Sequence, residues 1–170
     1  MTNSSTIFLF ATGAGSCFQI PELIQELVAQ QLTVYSVLTP NVSMVKMPAS
    51  LMEVQGNHWI HDYGQKPLDQ FPFGTMLVAP CTFNTFNKIA LGLADNLATS
   101  MIADGLGAGC PVVIAPSMNQ GLWAHPQTKS SLARLESWGC KVVPPTINGR
   151  RVTMAPIAEV VQAAVQASEK

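Results

Sequence analysis

Residues Thr6–Ile24 read TIFLFATGAGSCFQIPELI and decide the fold, because an apolar run, a glycine-rich turn and a helical pattern follow one another directly. The run Thr6–Ala11 is almost continuously apolar, which is typical of a strand buried on both faces of a parallel sheet. Apolar residues then recur at helical spacing, namely Ile20, Leu23, Ile24, Leu27 and Val28. The β-branched segment Thr33–Leu38 predicts a second strand, so the N-terminal part predicts a βαβ unit.

The same alternation continues along the chain. Further strands are expected at Thr75–Ala79, Pro111–Ala115 and Lys141–Val143. Helices are expected at Thr82–Leu91, Asp95–Leu106, Gln127–Trp138, where Gly139 supplies a left-handed cap, and Ile157–Val165. Residues 44–73 give a weaker pattern, with one helix near Ser50–Val54 and one strand near Trp59–Ile60. Strands that alternate with helices predict an α/β fold, a three-layer, doubly wound parallel sheet forming one domain over residues 1–170.

Composition excludes several classes of function. The 170 residues carry a net charge of −1, so nucleic acid is not an expected partner. No apolar run is long enough to span a membrane, and Met1–Thr6 lacks the basic start of a signal peptide. The four cysteines form no disulfide or zinc pattern, so a reducing cytoplasm is expected. Charged residues make up only 11%, which favours buried interfaces of a homo-oligomer; the alternative is a compact monomer with an uncharged polar surface.

Small polar residues follow four of the predicted strands. In open parallel sheets, ligands bind beyond the carboxyl ends of the strands. The segments at those ends are Thr12–Ser16, Thr39–Asn41, Pro80–Thr85 and Pro116–Asn119. They offer hydroxyls and backbone N–H groups, which suit a phosphate, and no cluster of acids for a metal. The alternative is that these residues mark ordinary turns.

The first turn is only part of a dinucleotide-binding fingerprint. The G-x-G-x-x-G pattern would require a third glycine where the chain has Phe18. No acidic residue ends the second strand to hold a ribose. The turn therefore favours a mononucleotide phosphate over NAD.

Three segments resemble the motifs of a known family. Pro80–Thr85 (PCTFNT) is similar to P-A-S-A-N-T, Lys88–Leu97 matches K-x-A-x-G-x-A-D-N-L, and Pro116–Trp123 (PSMNQGLW) is similar to P-x-M-N-x-x-M-W. Together they resemble the flavin-containing cysteine decarboxylases, which include phosphopantothenoylcysteine decarboxylases and lantibiotic peptidyl-cysteine decarboxylases. The resemblance implies a flavodoxin-like or Rossmann-like fold, bound FMN, and trimers or dodecamers with flavin sites between subunits.

The resemblance also implies roles for individual residues. The FMN phosphate and ribityl chain would be held by Gly13, Gly15, Ser16 and Thr39. The flavin would be contacted by Thr82, Asn84 and Thr85, and Ser117 would lie near the isoalloxazine ring. Asn119 would bind the substrate carboxylate. The implied reaction is oxidative decarboxylation of a small thiol carboxylate or of a peptide that ends in cysteine.

Two features depart from the family pattern. The position fourteen residues before Pro80 is Lys66, where the family carries a catalytic histidine; a buried lysine could act as a base, whereas an exposed one would have no role. The stretch Thr146–Met154 is short and lacks the reactive cysteine of the phosphopantothenoylcysteine decarboxylase flap. An alternative function is therefore an FMN-binding partner or regulatory subunit without decarboxylase activity. A flavin prenyltransferase is a weaker alternative, because the P-x-M-N-x-x-M-W signature is not expected there.

The remaining polar residues of interest have ordinary explanations. His58 and His61 would point to opposite faces of a strand, so no metal site is expected, and their role stays open. Cys81 fits a small apolar filler better than a nucleophile. Arg150 and Arg151 are expected on a solvated loop.

Overall fold

The computed structural model of the protein describes residues 6–45 and 53–169. Within these ranges, a six-stranded parallel sheet runs in the order β3-β2-β1-β4-β5-β6. Its strands are β1 (Thr6–Ala11), β2 (Thr33–Leu38), β3 (Asn57–Trp59), β4 (Thr75–Cys81), β5 (Val112–Pro116) and β6 (Lys141–Val142). This order is that of doubly wound Rossmann-like sheets, and it confirms the predicted fold class.

Helices cover both faces of the sheet. They are α1 (Ile20–Ala29), α2 (Val42–Val45), α3 (Phe83–Leu91), α4 (Leu97–Gly107), α5 (Gln120–Trp123), α6 (Pro126–Ser137) and α7 (Ile157–Ser168). Two 3₁₀ helices span Gly15–Gln19 and Leu68–Gln70. Among the described residues, no helix has the length and apolar character needed to cross a bilayer.

The two faces of β1 divide the hydrophobic core. Ile7 and Leu9 pack with α1 and α7 in one cluster. Phe8 and Phe10 pack with α3, α4 and α6 in the other cluster. Successive side chains of a strand point to opposite faces, so the residues on both faces must be apolar when helices cover both sides of the sheet. This explains why Thr6–Ala11 lacks polar alternation, since all six of its residues are buried.

Element boundaries differ from the expectations by one to three residues, the largest difference being at the end of α7, which continues to Ser168. Helices α3 and α4 begin after Thr82 and Asn96, whose side chains accept hydrogen bonds from the backbone N–H groups of Thr85 and Thr99. Each capping residue therefore lies just outside its helix. Gly139 has φ +84°, as the predicted left-handed cap requires. The strand predicted near Trp59–Ile60 is observed slightly earlier, as β3.

The segment that follows β6 contains an element that was not predicted. Strands β7 (Thr146–Asn148) and β8 (Arg151–Thr153) form an antiparallel hairpin apart from the main sheet. The expectation of a loop for Arg150 and Arg151 was therefore wrong in part, because Arg151 starts a strand. The helix predicted near Ser50–Val54 lies mostly outside the described residues.

Candidate functional site

The strand order creates a crevice between β1 and β4. Chain connections leave these two neighbouring strands in opposite directions, and ligands of doubly wound sheets bind at such a switch point. The segment Thr12–Ser16 follows β1, and the segment Pro80–Thr85 comprises the last two residues of β4, Thr82 and the first turn of α3, so the two segments meet there. The two expected phosphate and flavin loops are therefore adjacent in space although almost seventy residues apart in sequence.

Thr12 joins the two loops. Its backbone N–H and its Oγ1 both donate to the carbonyl of Pro80, at 3.1 and 2.8 Å, and its Oγ1 accepts from the backbone N–H of Thr82 at 2.8 Å. The side chain is only 1% exposed. A buried hydroxyl that both donates and accepts sets the spacing of the loops. Local sequence gives no sign of this role for Thr12, because its partners are about seventy residues away along the chain.

Two depressions flank this junction. The large depression has a volume of about 840 Å³ and is lined by Gly13, Gly15, Ser16, Thr82, Ser117 and Asn119, together with residues 150–154, which include β8. The small depression has a volume of about 200 Å³ and is lined by Gly13, Thr39, Asn41, Thr82, Asn84 and Thr85. Gly13, Thr82 and Asn84 belong to both. The structure thus brings all eight expected cofactor-binding residues, and Asn119, to one edge of the sheet.

Backbone donors without partners point to this edge. The N–H groups of Gly15 and Ser16, at the start of the first 3₁₀ helix, donate to no acceptor among the described residues. The same holds for Phe83 and Asn84 at the start of α3. The first N–H groups of a helix have no partner inside the helix and bind capping groups, water or ligands. An anion or a polar cofactor placed here would satisfy them.

Two glycines keep the wall of the depressions open. A Cβ atom on Gly13 would lie 2.7 Å from the backbone oxygen of Asn41, which is closer than non-bonded atoms approach. A Cβ atom on Gly15 would meet no protein atom within 4 Å and would occupy the large depression instead. Gly13 is therefore required for packing, whereas Gly15 leaves space for a ligand.

A buried hydroxyl pair connects the first loop to β5. Ser16 Oγ and Ser117 Oγ lie 2.8 Å apart, and both side chains are buried. One hydroxyl donates to the other, which leaves the accepting hydroxyl with a hydrogen to donate elsewhere. Both residues line the large depression. The pair therefore fixes the position of Ser16, expected at the FMN phosphate and ribityl chain, relative to Ser117, expected near the isoalloxazine ring, and it retains one donor.

Asn119 has one amide atom committed and one available. Its Oδ1 accepts from the backbone N–H of Leu122 at 2.9 Å and caps helix α5. Its Nδ2 donates to no acceptor among the described residues. Because capping fixes which end of the amide faces the helix, the NH₂ end remains for a ligand. Such a donor suits a carboxylate.

Lys66 is separate from these residues. It is exposed and lines neither depression. The burial on which a role as a base depended is absent. His58 lies in β3, whereas His61 lies two residues beyond it, so the two histidines do not share a strand, contrary to the expectation. His61 is also exposed and borders a third depression with Leu38 and Asn96. Among the described residues, no group of three or more potential ligands could hold a metal ion.

The cysteines near the sheet are not activated. Burial raises the pKa of the Cys81 thiol, which lies at the end of β4 and has no exposed surface. Burial also raises the pKa of Cys140 to about 11. A thiol attacks as its thiolate, so both are poor nucleophiles at neutral pH. This agrees with the expectation that Cys81 fills space.

Comparison with curated proteins finds relatives that are longer than this chain, so each match covers only part of the relative. The chain is 25% identical over 162 residues to the coenzyme A biosynthesis bifunctional protein CoaBC of Thermococcus kodakarensis, covering 91% of this chain and 40% of that protein. It is 44% identical over 69 residues to a cysteine/cysteine sulfinic acid decarboxylase of an unknown prokaryotic organism, covering 41% and 18%. It is 39% identical over 69 residues to the phosphopantothenoylcysteine decarboxylase of Mus musculus, covering 41% and 33%. The matches thus span at most 40% of these relatives.

Solved structures show the same architecture. The peptidyl-cysteine decarboxylase EpiD superposes with a TM-score of 0.79 at 26% identity, covering 94% of this chain and 98% of that one. A mutant PPC decarboxylase complexed with pantothenoylaminoethenethiol gives 0.78 at 23% identity, covering 97% and 98%. The FMN binding protein AtHal3 gives 0.78 at 22% identity, covering 94% of each chain. The last two similarities show the fold alone.

One protein family accounts for nearly the whole chain. The flavoprotein family matches residues 1–169. The motif resemblance at Pro80–Leu97 and Pro116–Trp123 is thereby confirmed, and a flavin is the cofactor type that the family indicates. The chain belongs to the flavoprotein family and has phosphopantothenoylcysteine and peptidyl-cysteine decarboxylases among its relatives.

Proposed function

We propose that this protein binds FMN and catalyses the oxidative decarboxylation of a substrate with a free cysteine carboxylate. The substrate class is a peptide that ends in cysteine or a pantothenate derivative such as phosphopantothenoylcysteine. The observation that carries the proposal is the available Nδ2 of Asn119, which lines the same depression as Thr82, Asn84 and Ser117. The relatives named as decarboxylases of such substrates support it.

The residues present fit FMN. The unpartnered N–H groups of Gly15 and Ser16 suit the phosphate, and the absent Cβ of Gly15 leaves room for it. Thr82, Thr85 and Asn84 offer neutral hydroxyl and amide groups along the neighbouring wall. The AtHal3 structure, a neighbour by fold, is described as an FMN binding protein. The donor set therefore matches a phosphorylated flavin of mononucleotide size.

The chain's own contribution to the reaction is orientation. Asn119 Nδ2 would hold the substrate carboxylate by neutral hydrogen bonds, which fix its position without adding a permanent counter-charge. When bound, FMN would supply a hydride acceptor, so that the cysteine thiol can be oxidised to a thioaldehyde. The electron-poor thioaldehyde carbon would then stabilise the carbanion that is left when CO₂ departs. The remaining thiol proton leaves to solvent or a base.

A second candidate function rests on Lys66. A general base typically contributes 10²–10⁴-fold to rate, and Lys66 is exposed and outside both depressions. The second candidate is therefore an FMN-binding subunit that has lost decarboxylation and acts through a partner. Substrate-dependent bleaching of the flavin distinguishes the two functions.

We also propose that the active form is a homo-oligomer, a trimer or a dodecamer. Apolar side chains are exposed beside the candidate site, with Phe18 at 65%, Met44 at 82% and Val45 at 55%. Phe18 lines the large depression itself. Contact with a second copy would remove this surface from water. Analytical ultracentrifugation of the FMN-loaded protein tests it, and a monomer at micromolar concentration would contradict it.

The test of the proposed function compares two variants of one short helix. Asn119→Asp keeps the cap, because aspartate caps as well as asparagine, but replaces the Nδ2 donor with a carboxylate oxygen. Gln120→Glu adds the same charge at the next position, which lines neither depression. We expect the native protein and Gln120→Glu to bleach anaerobically with a cysteine-terminated peptide or with phosphopantothenoylcysteine, with loss of CO₂ detected by mass spectrometry.

Asn119→Asp should remain yellow and should not bleach. Loss of colour in this variant would contradict the assignment of Asn119 to the substrate. A native protein that binds FMN but bleaches with neither substrate would favour the non-decarboxylating subunit. A protein that stays colourless with excess FMN would overturn both candidate functions.

A further inference from the structure

The β7–β8 hairpin carries two arginines to the same depression as Asn119. Gly149 has φ +59° and Arg150 follows it, so these two residues form the turn between Asn148 and Arg151. Glycine at the first position of a two-residue hairpin turn suits the left-handed backbone needed there. Arg150 and Arg151 are both exposed, and both line the large depression.

The hairpin is anchored to the element that orients Asn119. Val152 and Met154 are buried, and β8 packs against α5, the short helix that Asn119 caps. Val152 alternates with Arg151 and Thr153, so burial of its side chain leaves its two neighbours exposed. The position of the arginines relative to Asn119 is therefore set by packing rather than by a free loop.

The large depression is positively charged and contains no compensating acid. Among the described residues that line it, Arg150 and Arg151 carry charge and no Asp or Glu is present. No ion pair among the described residues involves either guanidinium; the pair that forms joins Lys88 to Asp95, outside this depression. Arginines left without a carboxylate partner beside a ligand cavity present several N–H donors to an anion.

We propose that Arg150 and Arg151 select substrates that carry a second anionic group in addition to the carboxylate held by Asn119. This inference rests on the proposed function and names the substrate class of the same site. Asn119 supplies a neutral donor for the carboxylate, so the two cationic side chains are available for another negative charge. An acidic side chain near the C-terminal cysteine of a peptide and a phosphate on a small thiol carboxylate share this chemistry.

The test measures binding separately from turnover. The FMN-loaded protein is titrated calorimetrically with tetrapeptides that end in cysteine, either with glutamine at the three preceding positions or with one glutamate at each position in turn. Pantothenoylcysteine and phosphopantothenoylcysteine form a second pair. We expect at least one anionic ligand to bind about tenfold more tightly than its neutral parent, which corresponds to about 1.4 kcal/mol, and added salt to reduce the difference.

The double variant Arg150→Gln/Arg151→Gln should lose this preference. The control Lys129→Gln/Lys141→Gln removes two exposed cations that do not line the large depression, and it should keep the preference. Retention of the preference in the arginine variant, or no preference in the native protein, overturns the proposal. Weaker FMN binding in the arginine variant also overturns it, because the arginines would then serve the FMN phosphate.

The two possible failures are distinct. Absence of bleaching with every substrate refutes the proposed decarboxylation, while the binding preference still reports on the arginines. Bleaching without a charge preference refutes the role of the arginines and leaves decarboxylation intact. A preference in the peptide series identifies an acidic side chain as the anion, and a preference in the pantothenoyl pair identifies a phosphate.

Discussion

Replacing Thr12 by valine tests whether its hydroxyl holds the two principal loops together. Valine has nearly the same shape as threonine, so the substitution removes hydrogen bonds without opening a cavity. The carbonyl of Pro80 keeps its bond from the Thr12 backbone N–H, at 3.1 Å, but the N–H of Thr82 loses its acceptor at 2.8 Å. The main cost is therefore an unsatisfied donor beside a buried methyl group.

The expected magnitude follows from these two changes. The lost hydrogen bond and the unsatisfied N–H together should lower the free energy of unfolding by about 2–4 kcal/mol. For a domain of this size, that corresponds to a fall in Tm of about 5–15 °C. Thr12→Ser keeps the hydroxyl and removes one buried methyl, which should cost about 1 kcal/mol. The difference between the two variants isolates the hydroxyl.

The assay is urea unfolding of the FMN-free protein, followed by circular dichroism at one protein concentration, because bound ligand and association both alter apparent stability. Titration with FMN then shows whether the loop spacing matters for binding, and weaker binding is expected in Thr12→Val than in Thr12→Ser. Equal unfolding midpoints for the two variants would refute the role assigned to the hydroxyl.

Two further predictions concern Gly15 in the large depression and the ion pair between Lys88 and Asp95 in the small depression. Gly15→Val places a side chain in the large depression without meeting protein atoms. It should weaken FMN binding at least about tenfold while changing the unfolding free energy by no more than about 0.5 kcal/mol; unchanged FMN affinity in fluorescence titration would contradict the placement of the cofactor. The hydrogen bond from Lys88 lowers the pKa of Asp95. Because the pKa of Asp95 is lowered in the folded state, ionised Asp95 stabilises the fold above its unfolded-state pKa, and this stabilisation is lost as the pH falls through its folded-state pKa. Lys88→Met removes the hydrogen bond, so NMR titration should show a higher Asp95 pKa in that variant. A titration curve that does not move in that variant would show that the pair is not formed.

Several features of this protein follow from local sequence. The run Thr6–Ala11 is apolar at every position from Ile7 onward, and only a strand covered on both faces requires that pattern. Thr82 and Asn96 cap the starts of their helices with their side-chain oxygens. Gly139 ends a helix because its backbone can adopt a positive φ. The polar loops that directly follow their strands indicated the edge of the sheet where a ligand would bind, and the motif resemblance supplied the individual candidate residues. These are short-range effects, so they can be recognised without knowing which strands are neighbours.

The arrangement of the site depends on contacts between distant residues. The pairing of β1 with β4, rather than any property of either strand alone, places Thr12 against Pro80 and Thr82. The β7–β8 hairpin was not recognised because its strands have only three residues each, too few for a clear alternation. The packing of β8 against α5 places Arg150 and Arg151 on the same depression as Asn119, a depression that Lys66 does not line. Local sequence therefore determined the strands, the helix caps and the candidate residues, whereas only tertiary packing decided which of those residues share one depression, since that depends on pairings between strands far apart along the chain.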